Sequence, residues 1–289
     1  RTHAQVRDEV LKSVRTDPFA SLGDLRVGIL GGEVVSAVAV LPRPIYMGGA
    51  VLSMGGIAAV CTRESHRGNG YNTAVLRDAL AYVEGEGHDI SLLYTGIHGY
   101  YERLGWRAFG HGVGHDITAP SELRRTGFHG SVRPMRPVDD LPSVRAIYEA
   151  SNRDQAGPVA RNAAYWDYHT DRLRAYHVAV EDGSVVAYLH DSGNRRIEET
   201  GSIPGRETAE VALVADVLAR GDRSGGAVYL GGSLHLVDSL RRIGCNVERL
   251  GTGPQEPPGP TMYRIMRLGP LVEKLLPAMT ERLAASPAA

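Results

Sequence analysis

Cysteine is scarce in this sequence: Cys61 and Cys245 are the only two in 289 residues. They lie far apart, without the close spacing of a thiolate metal site, so no metal is expected and a reducing, cytoplasmic compartment suits them. No apolar run reaches the roughly 18 residues of a membrane-crossing helix, and the N-terminal stretch lacks the hydrophobic segment of a secretion signal. An excess of one charge is missing too. Lysine and arginine total 32 against 33 aspartate and glutamate, a formal net charge of -1, so neither nucleic acid nor an anionic membrane is an expected partner. What remains is ordinary globular composition, 43% hydrophobic and 22% charged, in a chain long enough for two domains.

Apolar spacing orders the rest. Thr2 to Val14 carries apolar residues at helical intervals. Leu25–Leu30 and Glu33–Leu41 are β-rich runs separated by Gly31-Gly32, a hairpin signal, and Ala50–Thr62 reads as a third strand. From Tyr71 onward, Val75, Leu76, Ala79, Leu80 and Val83 recur at helical spacing. Ile90–Thr95 is a short strand of buried type, followed by a short helix over Gly99–Leu104 that Gly105 ends as a C-cap. Strand character returns over residues 107–118. The order helix, three strands, helix, strand, helix, strand predicts an α+β fold, a mixed α/β sandwich.

The polar stretch Thr118–Ser131 separates this unit from a second, which opens with a strand, a turn and a helix capped near Asp139. A helix is also expected over Arg161–Leu173, and a Pro/Gly loop, residues 251–260, precedes a last strand at Met262–Leu268. The second unit echoes the first. Gly32–Val38 resembles Gly183–Leu189, and Tyr100–Trp106 resembles Asp238–Cys245, which sets Gly105 against Gly244 and Tyr101 against Leu240. These echoes predict an internal duplication: residues 1–130 as one unit, 131–268 as a second, and 269–289 as a C-terminal helix kinked or split at Pro277.

His66-Arg67-Gly68-Asn69-Gly70 stands between the third strand and the helix after it. Amides at a glycine turn and in a helix's first turn are unpaired and face outward, and the helix dipole adds partial positive charge. A pyrophosphate fits such a place without any side chain, provided bulk is absent. Gly68 and Gly70 remove the bulk, and Arg67 adds a charged donor. The plainer alternative is a strand-to-helix turn that uses glycine for its backbone alone. A dinucleotide fold does not match, because these glycines follow three consecutive strands instead of opening a parallel βαβ unit. A Walker loop does not match either, since Gly70 is followed by Tyr71 and Asn72.

Arg67-Gly68-Asn69-Gly70-Tyr71-Asn72 resembles the Arg/Gln-x-x-Gly-x-Gly/Ala acyl-CoA motif of the GNAT superfamily of N-acetyltransferases. Asn72 replaces the small last residue, which leaves less room for the pyrophosphate. Tyr101-Glu102-Arg103-Leu104-Gly105-Trp106 is similar to the family's Tyr-x-x-x-Gly-aromatic helix. With the duplication added, most of residues 20–270 resembles the tandem-GNAT, enhanced-intracellular-survival (Eis-like) acetyltransferases, whose third, sterol-carrier-like domain would start in the helix Leu271–Leu283. The resemblance implies two tandem units, each a mixed central sheet flanked by helices, with acetyl-CoA as cosubstrate in the first. Val60, Cys61 and Thr62 would offer strand-edge backbone groups to the pantetheine arm. Arg67, Gly68, Asn69, Gly70, Tyr71, Asn72 and Thr73 would wrap the pyrophosphate, and Gly96 and Ile97 would line the far wall. Tyr101 would be the general acid, since a phenol stays protonated at neutral pH and can donate to a departing thiolate. The implied reaction is direct transfer of acetyl to a primary amine, on a small molecule, an aminoglycoside-like polyamine, a lysine or a peptide. Homo-oligomers occur in this family.

Plainer readings stand beside these. Tyr101 also reads as a half-buried amphipathic ring, and Tyr100 competes for its place, because only one of the two can face the thiol. No base for the amine stands out: Glu64 beside the turn and His98 ahead of the helix are the nearest groups, and in Eis-like proteins the C-terminal carboxylate of the third domain serves. Cys61 reads as a small buried strand residue. In the second unit, Ser202–Val211 has one glycine and no Arg-x-x-Gly-x-Gly, so that copy is expected to wall the substrate and bind no cofactor. Tyr165 and Trp166 are core aromatics or a pocket wall, and Asp191, Glu198 and Glu199 a cation-attracting or merely solvated acidic face. A non-catalytic acyl-CoA-binding or scaffold protein is the competing class.

Overall fold

The structure, a computed structural model, describes residues 15–108, 114–118, 127–192, 196–219, 227–230, 234–242, 244–250 and 261–286. The helix expected over Thr2–Val14 and the Pro/Gly loop 251–260 lie outside the described residues. Along the chain run β1 (Leu25–Leu30), β2 (Glu33–Met47), β3 (Ala50–Thr62), α1 (Tyr71–Gly85), β4 (Ile90–Tyr94), α2 (His98–Glu102) and β5 (Arg107–Ala108). After them come β6 (Gly114–Thr118), β7 (Ser131–Pro134), α3 (Pro137–Asn152), β8 (Ala156–Val159), α4 (Ala163–Tyr168), β9 (Tyr176–Glu181), β10 (Ser184–Asp191) and β11 (Arg196–Ser202). The remainder is α5 (Glu207–Ala219), β12 (Ala227–Leu230), α6 (Leu234–Arg242), β13 (Asn246–Leu250), β14 (Thr261–Ile265) and α7 (Leu268–Ala284). Among the described residues no helix is long and apolar enough to cross a membrane.

Two compact units result, and neither is one continuous stretch: the first takes residues 1–110, 153–168 and 260–289, the second 111–152 and 169–259. The first unit's sheet has the order β1-β2-β3-β4-β14-β5, with β8 also on β2. β1, β2 and β3 form an antiparallel meander. Its turns, Gly31-Gly32 and Gly48-Gly49, have positive φ at all four glycines, as two-residue type I′ hairpins require. β4 lies parallel to β3, so the connection must cross over, and α1 makes the crossing. All five residues at its apolar spacing are buried, against Val38, Val40, Ile57 and Leu93. Each of its buried valine and leucine side chains contributes about 1.5–3 kcal/mol by leaving water. A second cluster joins Ile45, Leu52, Met54 and Ile90 to Leu271 and Leu275 of α7.

The second unit's sheet runs β13-β6-β12-β11-β10-β9-β7. Its connection β11–α5–β12 is again parallel, and Val211, Leu213, Val214 and Val217 of α5 share a core with Val186 and Leu189. Apart from β7 and β8, the two sheets have the same plan: an antiparallel meander, a crossover helix, a parallel strand, then an inserted antiparallel strand before the last.

The inserted strand is where the structure departs from the sequence reading. Residues 107–118 are not one strand region: β5 belongs to the first sheet and β6 to the second, between β12 and β13. β14, expected in the second unit, pairs with β4 and β5 in the first. Each sheet therefore takes in a strand whose preceding strand in the sequence lies in the other. β14 supplies partners to the edges of two strands at once, which would otherwise hold unpaired peptide groups. Smaller differences follow local chemistry. α3 begins at Pro137, ahead of the expected cap at Asp139, and it is Asp140 that accepts from Arg136 N (2.6 Å) while Arg133 clasps the same carboxylate. The expected helix over Arg161–Leu173 stops at Tyr168 and gives way to a 3-10 turn over Thr170–Ala175, and α7 continues as a single helix through Pro277.

Candidate active site

β3 and β4 pair only from Met54/Ile90 to Gly56/Leu92. Beyond that, β3 runs on toward the glycine turn and α1, and β4 toward α2. A β-bulge accompanies the parting: Ala37 pairs with Cys61 but Ala39 with Ala58, so Ala59 and Val60 oppose Val38 alone. Ala59 takes a left-handed φ of 49°, a conformation that costs an L-residue about 1–2 kcal/mol. Bulges bend a strand and increase its twist. Here the extra residue returns Val60 to the side of Ile57, against the core under α1. From Ile57 onward the edge of β3 away from β2 carries no strand among the described residues. The outcome is a V with peptide groups along one wall.

The turn at the head of that wall is open. Gly68 and Gly70 have φ of 80° and 79°, and a Cβ on either would meet nothing within 4 Å. Helical bonding starts with Ala74 N to Gly70 O (3.1 Å), so the amides before it face outward, available to an anion. Arg67 is exposed, its Nε 3.4 Å from Thr62 O, and Asn69 braces the turn by donating to His66 O (3.3 Å) and Arg67 O (3.2 Å). Tyr71 and Thr73 stand half-buried in the first turn of α1. Asn72 does not fill the turn, contrary to the narrowing expected from its size. Its Nδ2 donates back to Ser36 Oγ (3.1 Å) and Cys61 O (3.3 Å). Of the three strand-edge residues, Val60 and Thr62 are half-buried, and Cys61, read as buried, has an exposed thiol because the bulge has shifted the alternation of the strand.

On the other arm, Gly96 and Ile97 form an exposed bend in which Thr95 Oγ1 accepts from Ile97 N (3.0 Å). α2 follows. Leu104 N and Trp106 N both donate to Tyr101 O (2.9 and 3.3 Å), and Gly105 N donates to Glu102 O (3.0 Å). Gly105 suits its φ of 93°, and a Cβ there would lie 2.9 Å from Arg264 Nη1 and displace the guanidinium. Arg264, on β14, donates to Leu104 O and lies over the Trp106 ring at 5.8 Å. The strand from the far end of the sequence thus supports the helix that holds Tyr101. Tyr101 itself is buried, edge-on to Tyr100 (5.1 Å) and Trp106 (6.0 Å), and its hydroxyl makes no hydrogen bond among the described residues. Burial, with a smaller contribution from Tyr100, raises its pKa above the usual tyrosine value of 10.0. His98 is the first residue of α2, and Glu64 is exposed in a 3-10 turn beside the glycines.

The second unit repeats the α2 turn without its chemistry. Gly244 has φ 92°, Gly244 N donates to Arg241 O (3.0 Å), and Cys245 N donates to Leu240 O (3.0 Å). Leu240, fully buried, stands where the first unit has Tyr101. At the strand-to-helix turn, Gly205 N donates to Glu207 Oε1 (3.0 Å), so a carboxylate of the chain itself occupies the amide. Of the other residues singled out, Tyr165 and Trp166 belong to the first unit and are buried there. Tyr165 packs on Phe19 (5.3 Å) and Arg43 (5.3 Å), and Trp166 lies under Arg161 (4.7 Å). Glu199 accepts from Tyr176 Oη (3.2 Å) and Glu198 from Ser192 Oγ (3.1 Å).

Residues 5–109 match the family model of the acetyltransferase (GNAT) domain. The chain carries a GNAT acetyltransferase domain. Among curated proteins none matches this sequence significantly. Solved structures do resemble it along nearly its whole length. A protein of Enterococcus faecalis V583 described as a "probable N-acyltransferase" has TM-score 0.73 and 18% identity, over 95% of this chain and 68% of that one. A GCN5-related N-acetyltransferase from Kribbella flavida has TM-score 0.67 and 19% identity, over 95% and 68%. Eis1 from Mycobacterium abscessus has TM-score 0.59 and 18% identity, over 95% and 74%. At that identity the likeness is one of fold, and it extends past the GNAT domain into the second unit. Two features of the site had no signal in the sequence. The bulge sits on an alanine, a residue that does not announce positive φ, and the partner of β14 is set by tertiary pairing.

Proposed function

We infer that the first unit transfers acetyl from acetyl-CoA to a primary amine, with Tyr101 as the general acid. One observation carries this reading: on opposite arms of a single V stand a glycine turn with outward-facing amides and a buried tyrosine whose hydroxyl makes no hydrogen bond among the described residues. The amides from Gly68 to Thr73 and the Arg67 guanidinium suit a pyrophosphate. The free edge of β3 at Val60–Thr62 suits the amide-bearing pantetheine arm, as an added strand would be held. Gly96 and Ile97 stand on the opposing arm. The acceptor nitrogen would attack the thioester carbonyl, the C–N bond forming as the C–S bond breaks. Tyr101 Oη gives its proton to the departing sulfur, and a proton released by the amine, through solvent or through His98, restores the phenol. Its raised pKa serves this role, since it keeps the donor loaded at neutral pH. Acceptors within this class are small-molecule amines, aminoglycoside-like polyamines, and lysine or peptide amines. The second unit, with Leu240 for tyrosine and Glu207 in its turn, binds no cofactor of its own. A non-catalytic acyl-CoA binder is the reading to be beaten.

Calorimetry of acetyl-CoA binding tests the cradle, on the wild type, Gly70→Ala and Gly70→Glu. The alanine adds only backbone strain at φ 79°, and the glutamate adds a carboxylate where the phosphates would lie. Binding by the wild type that survives alanine in part and is lost with glutamate is the expected result. No binding by folded wild type would reduce the glycine turn to a turn and remove the enzymatic reading with it. Binding without acetylation of any amine in a broad panel would leave the non-catalytic class standing.

A further inference from the structure

The two arms of the V are joined by a line of side chains with no role in the reaction as described. Tyr100 Oη donates to Asn72 Oδ1 (2.9 Å) and lies 3.3 Å from Thr73 Oγ1. Asn72 Nδ2 donates to Ser36 Oγ (3.1 Å) and to Cys61 O (3.3 Å). Ser36 Oγ donates in turn to Cys61 O (2.9 Å). Both ends of the carboxamide therefore meet groups of the right kind, oxygen to a donor and nitrogen to acceptors. The line runs from α2, through the first turn of α1, to β2 and the parted end of β3.

α2 needs such an anchor. It has five residues and no side-chain cap, and a helix so short has little stability of its own. Its C-terminal end is held by Arg264 at Leu104 O; Tyr100 is the corresponding tie toward α1. Because the Tyr100 ring meets Tyr101 edge-on at 5.1 Å, a shift of the first moves the second. We propose that Tyr100 and Asn72 are positioning residues, which hold Tyr101 where its proton reaches the leaving sulfur. The proposal rests on acetyl transfer with Tyr101 as acid. It also assigns a use to Asn72, where the acyl-CoA motif has a small residue.

The test compares Tyr100→Phe, Asn72→Ala and the wild type with two acyl donors. One is acetyl-CoA, and the other is the acetyl thioester of an aromatic thiol, whose thiolate departs without a proton. Tyr100→Phe with acetyl-CoA should lower kcat about 10- to 100-fold, the scale of a misplaced catalytic group, with KM for acetyl-CoA changed by less than about two-fold. With the aromatic thioester the loss should shrink toward none, which damage to the site in general would not produce. Equal losses with both donors would overturn the proposal, as would an unchanged kcat with a raised KM, which would make the bridge a cofactor contact. If Asn72→Ala fails to fold, Tyr100→Phe, which removes one oxygen atom, carries the test. A wild type that binds acetyl-CoA yet acetylates nothing overturns the underlying reading and this proposal together. Wild-type turnover with a fully active Tyr100→Phe overturns this proposal alone.

Discussion

A phenol buried among aromatic rings favours its neutral form, and that preference is measurable at Tyr101. Tyr101→Phe keeps the packing against Tyr100 and Trp106 and removes the proton. Steady-state kinetics should show kcat reduced by about 10²-fold or more, the usual worth of a positioned acid, and an undiminished rate would show that Tyr101 is packing alone. The sign of the pH effect follows from the raised pKa. The acid is active below its pKa and lost above it, so the wild-type rate should show no falling limb attributable to Tyr101 until the pH exceeds about 10. A limb near pH 8 that vanishes in Tyr101→Phe would contradict the burial argument. At this scale the sequence was informative where spacing encodes geometry. The four-residue step from Tyr101 to Gly105 encodes a turn: the left-handed glycine lets Trp106 N close back on the Tyr101 carbonyl. It was uninformative at Asn72 and Cys61. The partners of the one and the exposure of the other depend on a bulge.

Among the elements, α1 was legible residue by residue, since all five apolar positions at its helical period are buried. The end of α7 nearer the sheet is held by a contact no periodicity could show. Asp89 is fully buried, and its Oδ2 accepts from Ser53 N (2.8 Å) and Lys274 Nζ (2.6 Å). Lys274→Met removes one charge and leaves the buried carboxylate with the backbone amide alone. Chemical denaturation should show a loss of about 1.5–3 kcal/mol, the range for a hydrogen bond to a charged group. No loss would mean that α7 is held by Leu271 and Leu275 without the ion pair. Next to it, His88 is buried with Nδ1 2.6 Å from Ser53 Oγ, and burial holds its pKa below the ordinary 6.5. The unfolded chain takes up this proton at about pH 6.5 and the native one only at lower pH. The contribution of neutral His88 is therefore present above 6.5 and lost as pH falls below it. Between pH 7 and pH 5 the thermal midpoint of the wild type should fall further than that of His88→Asn. Equal falls would place the acid sensitivity elsewhere.

For the molecule as a whole, the repeat was readable and the division was not. The Gly-x-Val-Val echo marks β2 and β10, and the glycine echo marks the turns after α2 and α6. Those signals are local and survive in single segments. A boundary at residue 130 fails for a different reason, because a strand's pairing partner is chosen by the edge left open in three dimensions. Residues 1–130 alone would lack β14, leaving β4 and β5 without their shared partner and α2 without Arg264. Such a fragment should show no cooperative unfolding transition by circular dichroism, whereas the whole chain should. A cooperative melt of the fragment would make β14 dispensable.

The placement of β14 also sets a schedule. About 150 residues separate β5 from β14, so at synthesis rates of about 5–20 residues per second the strand follows β5 by roughly 8–30 s. During that interval the first sheet waits with a gap beside β4, and the helix bearing Tyr101 has no arginine beneath its C-terminal turn. A nascent chain stalled before residue 260 would carry the glycine turn and the tyrosine yet lack β14, the strand whose Arg264 supports the turn after α2.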